Sequence, residues 1–333
     1  MKHMVWFLVA FAFVWLAACA APPAAPPTPV PLEKVVIGFD AMSITGGPMH
    51  FAQDLGLFKK YGLDEQLIYV DAGTKLTQAM VAGQIDIGQN GYSPVISAAA
   101  AGAKLVFIGG ISNTMPFQLI VKPEIKTPAD LKGKKVAISK YGSSTDTALQ
   151  IVLKYYALDL NSVTRLQIGS EPERVAAMQS GQVDGILVQY PTTGTMIQQG
   201  YRMLQDVAEI GGQYPNTSFV VSRDYLAKKR DVVKRFLMAM TEGINRYRTE
   251  TDAAMTSTAK FLKIEDAKGL YETHAYYTSR VFPSVPRATL DGVANLIKLD
   301  PEVNGKLKAE DVVDNSIFDE LDKEGFLKKV GAQ

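Results

Sequence analysis

The sequence is poor in the residues that build reactive or metal-bound centres. One cysteine, Cys19, occurs in 333 residues, so the folded body can hold no internal disulfide and no thiolate metal site. Of three histidines, His50 and His274 are the two that follow the N-terminal segment, and they stand far apart without ligand spacing. No G-x-S-x-G elbow is present, and Gly102, Gly109 and Gly110 form no dinucleotide fingerprint. Catalysis needs a nucleophile, an acid/base pair or a metal; these absences argue against an enzyme and leave no cofactor to expect. Both tryptophans, Trp6 and Trp15, fall near the N-terminus, so stacking on a flat ligand would have to use Tyr or Phe. An excess of one charge is missing too. There are 35 basic against 34 acidic residues and no long like-charged run, which argues against the basic stripe that a nucleic-acid partner requires.

What is present is apolar material, 47% of the chain, and length enough for two domains. Lys2 and His3 precede an apolar run from Met4 to Ala18. The run is short for a membrane span and has the length of a signal-peptide core. It ends in Leu16-Ala17-Ala18-Cys19, which resembles a bacterial lipobox, in which the cysteine is lipidated and becomes the first residue. Residues 1–19 therefore read as a lipoprotein signal, and acylated Cys19 as an anchor to a bilayer. Residues 20–33 contain Pro22, Pro23, Pro26, Pro27, Pro29 and Pro31; such a segment favours an extended conformation and reads as a stalk.

Beyond the stalk, short β-branched runs alternate with helical patterns, which predicts parallel sheets flanked by helices. Lys34 to Gly38, Leu67 to Val70 and Ile85 to Gly88 read as strands. Pro48 to Tyr61 and Leu76 to Ala82 read as helices closed by Gly62 and Gly83. The pattern then recurs about a hundred residues later. Lys34-Val35-Val36-Ile37-Gly38 is answered by Lys135-Val136-Ala137-Ile138-Ser139, and Phe58 to Asp64 by Leu153 to Asp159. Ala79-Met80-Val81-Ala82-Gly83-Gln84-Ile85-Asp86 is answered by Ala177-Met178-Gln179-Ser180-Gly181-Gln182-Val183-Asp184. The period is too long for a solenoid and suits two α/β lobes of like design. Ligands of open α/β sheets bind beyond the carboxyl ends of the strands, so two such lobes facing each other would line one cleft.

The segments Asp54 to Leu63, Ala82 to Gly88, Pro128 to Ala137, Gly142 to Asp146 and Ser180 to Asp184 resemble, as an ordered set, the family of binding proteins for nitrate, sulfonate, taurine and thiamine-pyrimidine precursors. The similarity runs from about Lys34 to Gly243. It implies an α/β, two-lobed type II periplasmic-binding fold, with lobe 1 from 34–117 plus 218–333 and lobe 2 from 118–217. The chain would cross near Pro116-Phe117-Gln118 and return near Pro215 to Phe219. It further implies a monomeric extracytoplasmic solute-binding lipoprotein that captures a small polar or anionic solute and hands it to an ABC permease. A pyrimidine binder is the alternative; a pyrimidine-making enzyme and a sensor-associated receptor rank lower, the first because its His- and Cys-equipped pattern is absent here.

Candidate ligand-binding residues follow from the loops at strand ends. Ser43, Thr45 and Gly46 lead into a helix start at Pro48, where free amides and partial positive charge favour anions. Asn90 and Tyr92 follow the third strand. Tyr141, Ser143, Ser144 and Thr145 open a later helix; one hydroxyl suffices for its cap, leaving others for a ligand. Gln189 and Tyr190 mirror Gln89 to Tyr92 through the repeat, and Tyr190→Ala is expected to weaken binding. Tyr214 stands at the return crossing. Thr127 to Asp130 reads as a self-capped turn, and Arg174 is the one arginine near these loops.

Overall fold

A computed structural model describes residues 32–210, 213–265 and 268–332. The signal segment, the lipidation site Cys19 and most of the proline-rich stretch lie outside the described residues. Among the described residues no helix is long and apolar enough to cross a membrane.

Ten strands form two sheets of five. They are β1 (Glu33–Phe39), β2 (Leu63–Tyr69), β3 (Ile87–Gly91), β4 (Leu105–Gly110), β5 (Gln118–Val121), β6 (Lys135–Ile138), β7 (Thr164–Gln167), β8 (Gly185–Val188), β9 (Arg202–Asp206) and β10 (Thr217–Ser222). The first sheet has the order β2-β1-β3-β10-β4 and the second β7-β6-β8-β5-β9. Within each, three strands pair in parallel, one inserted strand runs antiparallel to both its neighbours (β10 in the first sheet, β5 in the second), and the edge strand beyond it, β4 or β9, points the same way as the three. The chain thus leaves the first sheet after β4, builds the second from Gln118 to Asp206, and returns at Thr217.

The repeat is real, and its register differs from the simplest sequence match. Asp86 Oδ2 accepts the Val36 amide at 2.8 Å, and Asp184 Oδ2 accepts the Lys135 amide at 2.9 Å. The reverse bonds, Asp86 N–H to Val36 O and Asp184 N–H to Lys135 O, complete each pair. Val36 is therefore the counterpart of Lys135, two residues away from the match of Lys34 with Lys135. Strand side chains alternate with period two, so a shift of two preserves the buried pattern and hides the true register. These aspartates sit just before β3 and β8; β3 starts two residues later than the strand read from Ile85, because the Asp86 carboxylate is spent on the neighbouring strand.

Other differences are local. The helix expected over Pro48 to Tyr61 is two pieces, Gly47–Asp54 and Leu57–Lys60, divided by Gly56 in the left-handed region at φ 67°. A long packing helix, Arg230–Thr249, buries Val232, Val233, Phe236, Leu237, Met240 and Ile244, which recur at helical spacing. Phe236 stacks with Phe58 and meets the edge of Phe219 on β10, at 6.2 and 5.2 Å between ring centres. The C-terminal helices pack on the first sheet, and Val313 bridges Phe107 at its β4 edge. Tight packing of this kind on both faces holds the strand ends in fixed places.

Candidate functional site

Because three strands of each sheet run parallel, their carboxyl ends gather at one edge. The antiparallel β5 and β10 bring their amino ends to that same edge. A cavity opens there between the two sheets, with about 80 Å³ of water-accessible space, room for roughly five waters or a comparably small solute.

Most wall segments follow a strand. Asp40 to Ser43 and Thr45 follow β1; Tyr69, Asp71, Ala72 and Gly73 end β2; Gly91 ends β3. From the second sheet come Ser139, Ser143, Ser144 and Thr145 after β6, Gly169 to Pro172 and Arg174 after β7, and Gln189 after β8. Phe117 precedes β5, and Asn216 and Thr217 open β10.

Of the residues expected from sequence, Ser43, Thr45, Ser143, Ser144, Thr145 and Gln189 line this cavity. The hydroxyls divide their work. Ser43 Oγ and Thr45 Oγ1 bond to each other at 2.8 Å, and the Gln89 amide donates to Thr45 O, fixing the loop. Ser143 caps the helix Ser144–Tyr155 by accepting from Asp146 N–H. Thr145 Oγ1 accepts from the Ser139 amide at 2.8 Å and meets Ser143 Oγ at 2.9 Å. Ser144 Oγ is spent on none of these bonds and faces Gly91 across the gap; a Cβ on Gly91 would overlap it.

The other expected residues lie elsewhere. Gly46 sits in a buried turn where a Cβ would come within 2.8 Å of the Phe261 ring, so packing explains the glycine. Asn90 Nδ2 donates to Gly73 O at 3.2 Å and to Thr77 Oγ1 at 2.8 Å; it holds the second loop from behind. Tyr92 is fully buried against Phe107, ring centres 4.5 Å apart, because as the first residue of a helix its side chain turns into the core. Tyr141 is half exposed and stacks on Arg165 outside the cavity, its ring 4.9 Å from the guanidinium carbon. Tyr190 follows Gln189, and alternation along extended chain sends it the opposite way, where its ring lies 5.6 Å from that of Tyr276. Tyr214 packs against the apolar core away from the wall. Counted from the matched aspartates Asp86 and Asp184, the mirror of Gln189 is Gly91, not Gln89.

Sequence reading passed over the loops after β2 and β7, and with them Asp71, Gly73 and Glu171; it also passed over Asp40 after β1 and Asn216 before β10, and did not count on Arg174 as a bidentate clamp. The signal was available: these loops obey the same strand-end rule, and Ser170 with Glu173 forms a capping box that marks a helix start there. Arg174 is 4% exposed. Its Nη1 donates to Gly169 O at 2.6 Å and its Nε to Leu187 O at 3.3 Å, while Nη2 has no partner among the described residues. Burial pushes its pKa down, and the neighbouring Glu171 charge partly restores it. Glu171 is pushed up by burial, offset by Arg174, and accepts from the Gln189 amide at 3.3 Å. Asp40 is pushed up to about 6 by burial; its Oδ2 accepts from Gly91 N–H at 3.2 Å. Asp71 is paired with Lys75 at 2.6 Å on the rim.

Chemically, this is a recognition site. It offers a guanidinium, hydroxyls, carboxylates and side-chain amides around a small space, with no group of three or more metal-binding side chains among the described residues. His50 stacks on Phe261 at 3.7 Å and His274 bonds to Tyr247 O at 2.7 Å; neither lines the cavity.

Comparison with known proteins gives the same picture. A provisionally named aliphatic sulfonates-binding protein of Escherichia coli K12 is 30% identical over 234 residues, 68% of this chain and 71% of its own. The taurine-binding periplasmic protein of E. coli K12 is 27% identical over 241 residues, 69% of this chain and 73% of its own. The solved alkanesulfonate-binding protein of Xanthomonas axonopodis pv. citri, bound to MOPS, superposes with a TM-score of 0.73 over 85% of this chain and 98% of that one, at 22% identity. These relatives are binding proteins, and this chain is a binding protein of the two-lobed periplasmic type rather than an enzyme. Residues 45–254 match the family described as NMT1/THI5 like, and the chain belongs to that family.

Proposed function

We propose that this protein captures a small organic sulfonate in the cavity between its two sheets and delivers it to an ABC importer. The observation that carries the reading is Arg174: a buried guanidinium held by two carbonyls and lining a cavity rich in hydroxyls. Charge-assisted hydrogen bonds from such a group are strong and suit an oxyanion. The sulfonate-binding relatives favour that anion over others. In this reading 34–117 with 218–333 moves against 118–217, closing on the guest by a hinge. Cys19 carries the lipid, and residues 20–33 tether the body outside the cytoplasmic membrane, although β1 begins at Glu33 and shortens the stalk by one residue.

The test is a thermal-shift and calorimetry panel of 2-aminoethanesulfonate, ethanesulfonate, MOPS, nitrate and a pyrimidine on the purified body. A ligand that binds the folded form raises the melting temperature by mass action. A saturable rise with sulfonates, and unchanged ligand recovered afterwards, supports the reading. Response to nitrate or the pyrimidine with none to any sulfonate overturns it.

A further inference from the structure

The loop of residues 139–145 gives the cavity the hydroxyls of Ser139, Ser143, Ser144 and Thr145, and it is gripped from outside the cavity. Asp146, the residue after it, is 3% exposed. A carboxylate so placed is costly unless it is paired. Its Oδ1 accepts from Arg165 Nη1 at 2.8 Å. Its Oδ2 accepts from the Gly142 amide at 3.0 Å and from Gln150 Nε2 at 3.4 Å. Its own amide donates to Ser143 Oγ, which in turn meets Thr145 Oγ1. Strand β7 adds two more bonds. Tyr141 N–H donates to Gln167 Oε1 at 3.0 Å, and Tyr141 OH donates to Arg165 O at 3.2 Å. The Tyr141 ring covers the Arg165 guanidinium. None of Tyr141, Asp146 and Arg165 lines the cavity.

The first half builds the matching loop without this grip. Val36 answers Lys135, and by the same count along the chain Gly47 answers Asp146. Val36 pairs with Gln66 and Lys135 with Thr164, so Leu67, one residue on, answers Arg165. A glycine and a leucine thus suffice where the loop presents Ser43 and Thr45 to the same cavity. The scaffold does not need the ion pair, and a buried pair is in general weak evidence for stability. What this pair does is tie the loop to the next strand by directional bonds. Groups held in place beforehand lose less freedom when a guest arrives.

We infer that Asp146 and Arg165 are positioning residues for the guest: they set the affinity of the cavity by fixing loop 139–145, and they touch no part of the guest. The inference rests on the proposed function only in placing the guest in this cavity, and not on the guest being a sulfonate.

The test is calorimetry on the purified protein, well below its melting transition, with 2-aminoethanesulfonate, ethanesulfonate, nitrate and a pyrimidine as probes. Arg165→Met and Asp146→Asn are each expected to weaken whichever probes bind the unmodified protein by about tenfold. Arg165→Lys recovers most of that loss. The double variant Asp146→Asn/Arg165→Met loses no more than either single one, because the two side chains act through one bond. It also strands no charge, so it carries the test if a single variant fails to fold. The control is Lys122→Met, which breaks the 2.8 Å pair with Asp184 in the same sheet, outside the cavity lining. It lowers the melting temperature and leaves affinity within about twofold, as distant sites do. Hydrogen exchange at the amides of 139–145 in the unliganded protein quickens in Arg165→Met and not in Lys122→Met. Unchanged affinity in the pair variants, or an equal loss in Lys122→Met, overturns the inference. Binding of none of the probes overturns it together with the proposed function. Binding of nitrate or the pyrimidine alone, weakened by Arg165→Met, would sink the sulfonate reading and leave this one standing.

Discussion

The two halves of this protein share a scaffold and differ in chemistry at matching positions. Counting from the paired aspartates Asp86 and Asp184, the helix Gly73–Val81 is the counterpart of Glu171–Gln179. Gly73 then answers Glu171, Leu76 answers Arg174, Gly91 answers Gln189, and Asp40 answers Ser139. The first half presents one acid, two glycines and a fully buried leucine. The second presents a hydroxyl, a neighbouring acid and guanidinium, and an amide. The strand-tying aspartates kept their task in both halves, while every cavity-facing position took a different residue. Architecture and recognition are thus separable: the former is set inside the sheets, the latter in the residues just past them.

The comparison can be broken most forcefully at Arg174. Arg174→Met gives the second half an apolar residue, as Leu76 gives the first. Loss of a charge-assisted bond of about 1.5–3 kcal/mol should weaken sulfonate binding roughly ten- to hundredfold by calorimetry, with a smaller change in melting temperature. Unchanged affinity would remove the guanidinium from the site.

The shared aspartates sharpen the other side. Asp86→Ala and Asp184→Ala each strand one backbone amide, at a cost of about 1–2 kcal/mol in denaturant unfolding. Asp184 also pairs with Lys122 at 2.8 Å, so its loss should be the larger by a fraction of a kcal/mol. A large loss for one and none for the other would deny them a common role.

Gly91→Ala tests how closely the halves meet. Its Cβ would strike Ser144 Oγ, so affinity should fall by about tenfold, in line with the cost of overpacking. Ser144→Gly in the same chain should recover part of that loss, a coupling a double-mutant cycle detects. The smallest effect belongs to Tyr190→Ala. Sequence symmetry made it a ligand residue, but its ring lies on Tyr276, so affinity should stay within about twofold while stability falls by about 1 kcal/mol. A tenfold loss of affinity would return Tyr190 to the site.

The fold was largely legible because it rests on long-wavelength features. Alternating runs, glycine stops at Gly62 and Gly83, and a repeated segment survive small errors of register. The cavity wall was legible where a loop led from a strand into a helix start, as at Ser43 to Thr45 and Ser143 to Thr145, and at Gln189 just past β8. Asp40, one residue past a strand, has no capping signature, and its bond from the Gly91 amide ties two loops that no linear reading brings together. Tyr92 and Tyr190 misled because each follows a true wall residue by one step, and one step reverses the direction of a side chain.

Phe117 and Asn216 belong to the two chain segments that join the sheets and also touch the cavity. Any bending of those joints moves part of the wall. On the proposed transport reading, occupancy and posture are then one variable: a guest of the wrong length would prop the joints open, and a permease that grips only the outer surfaces could still tell a loaded carrier from an empty one.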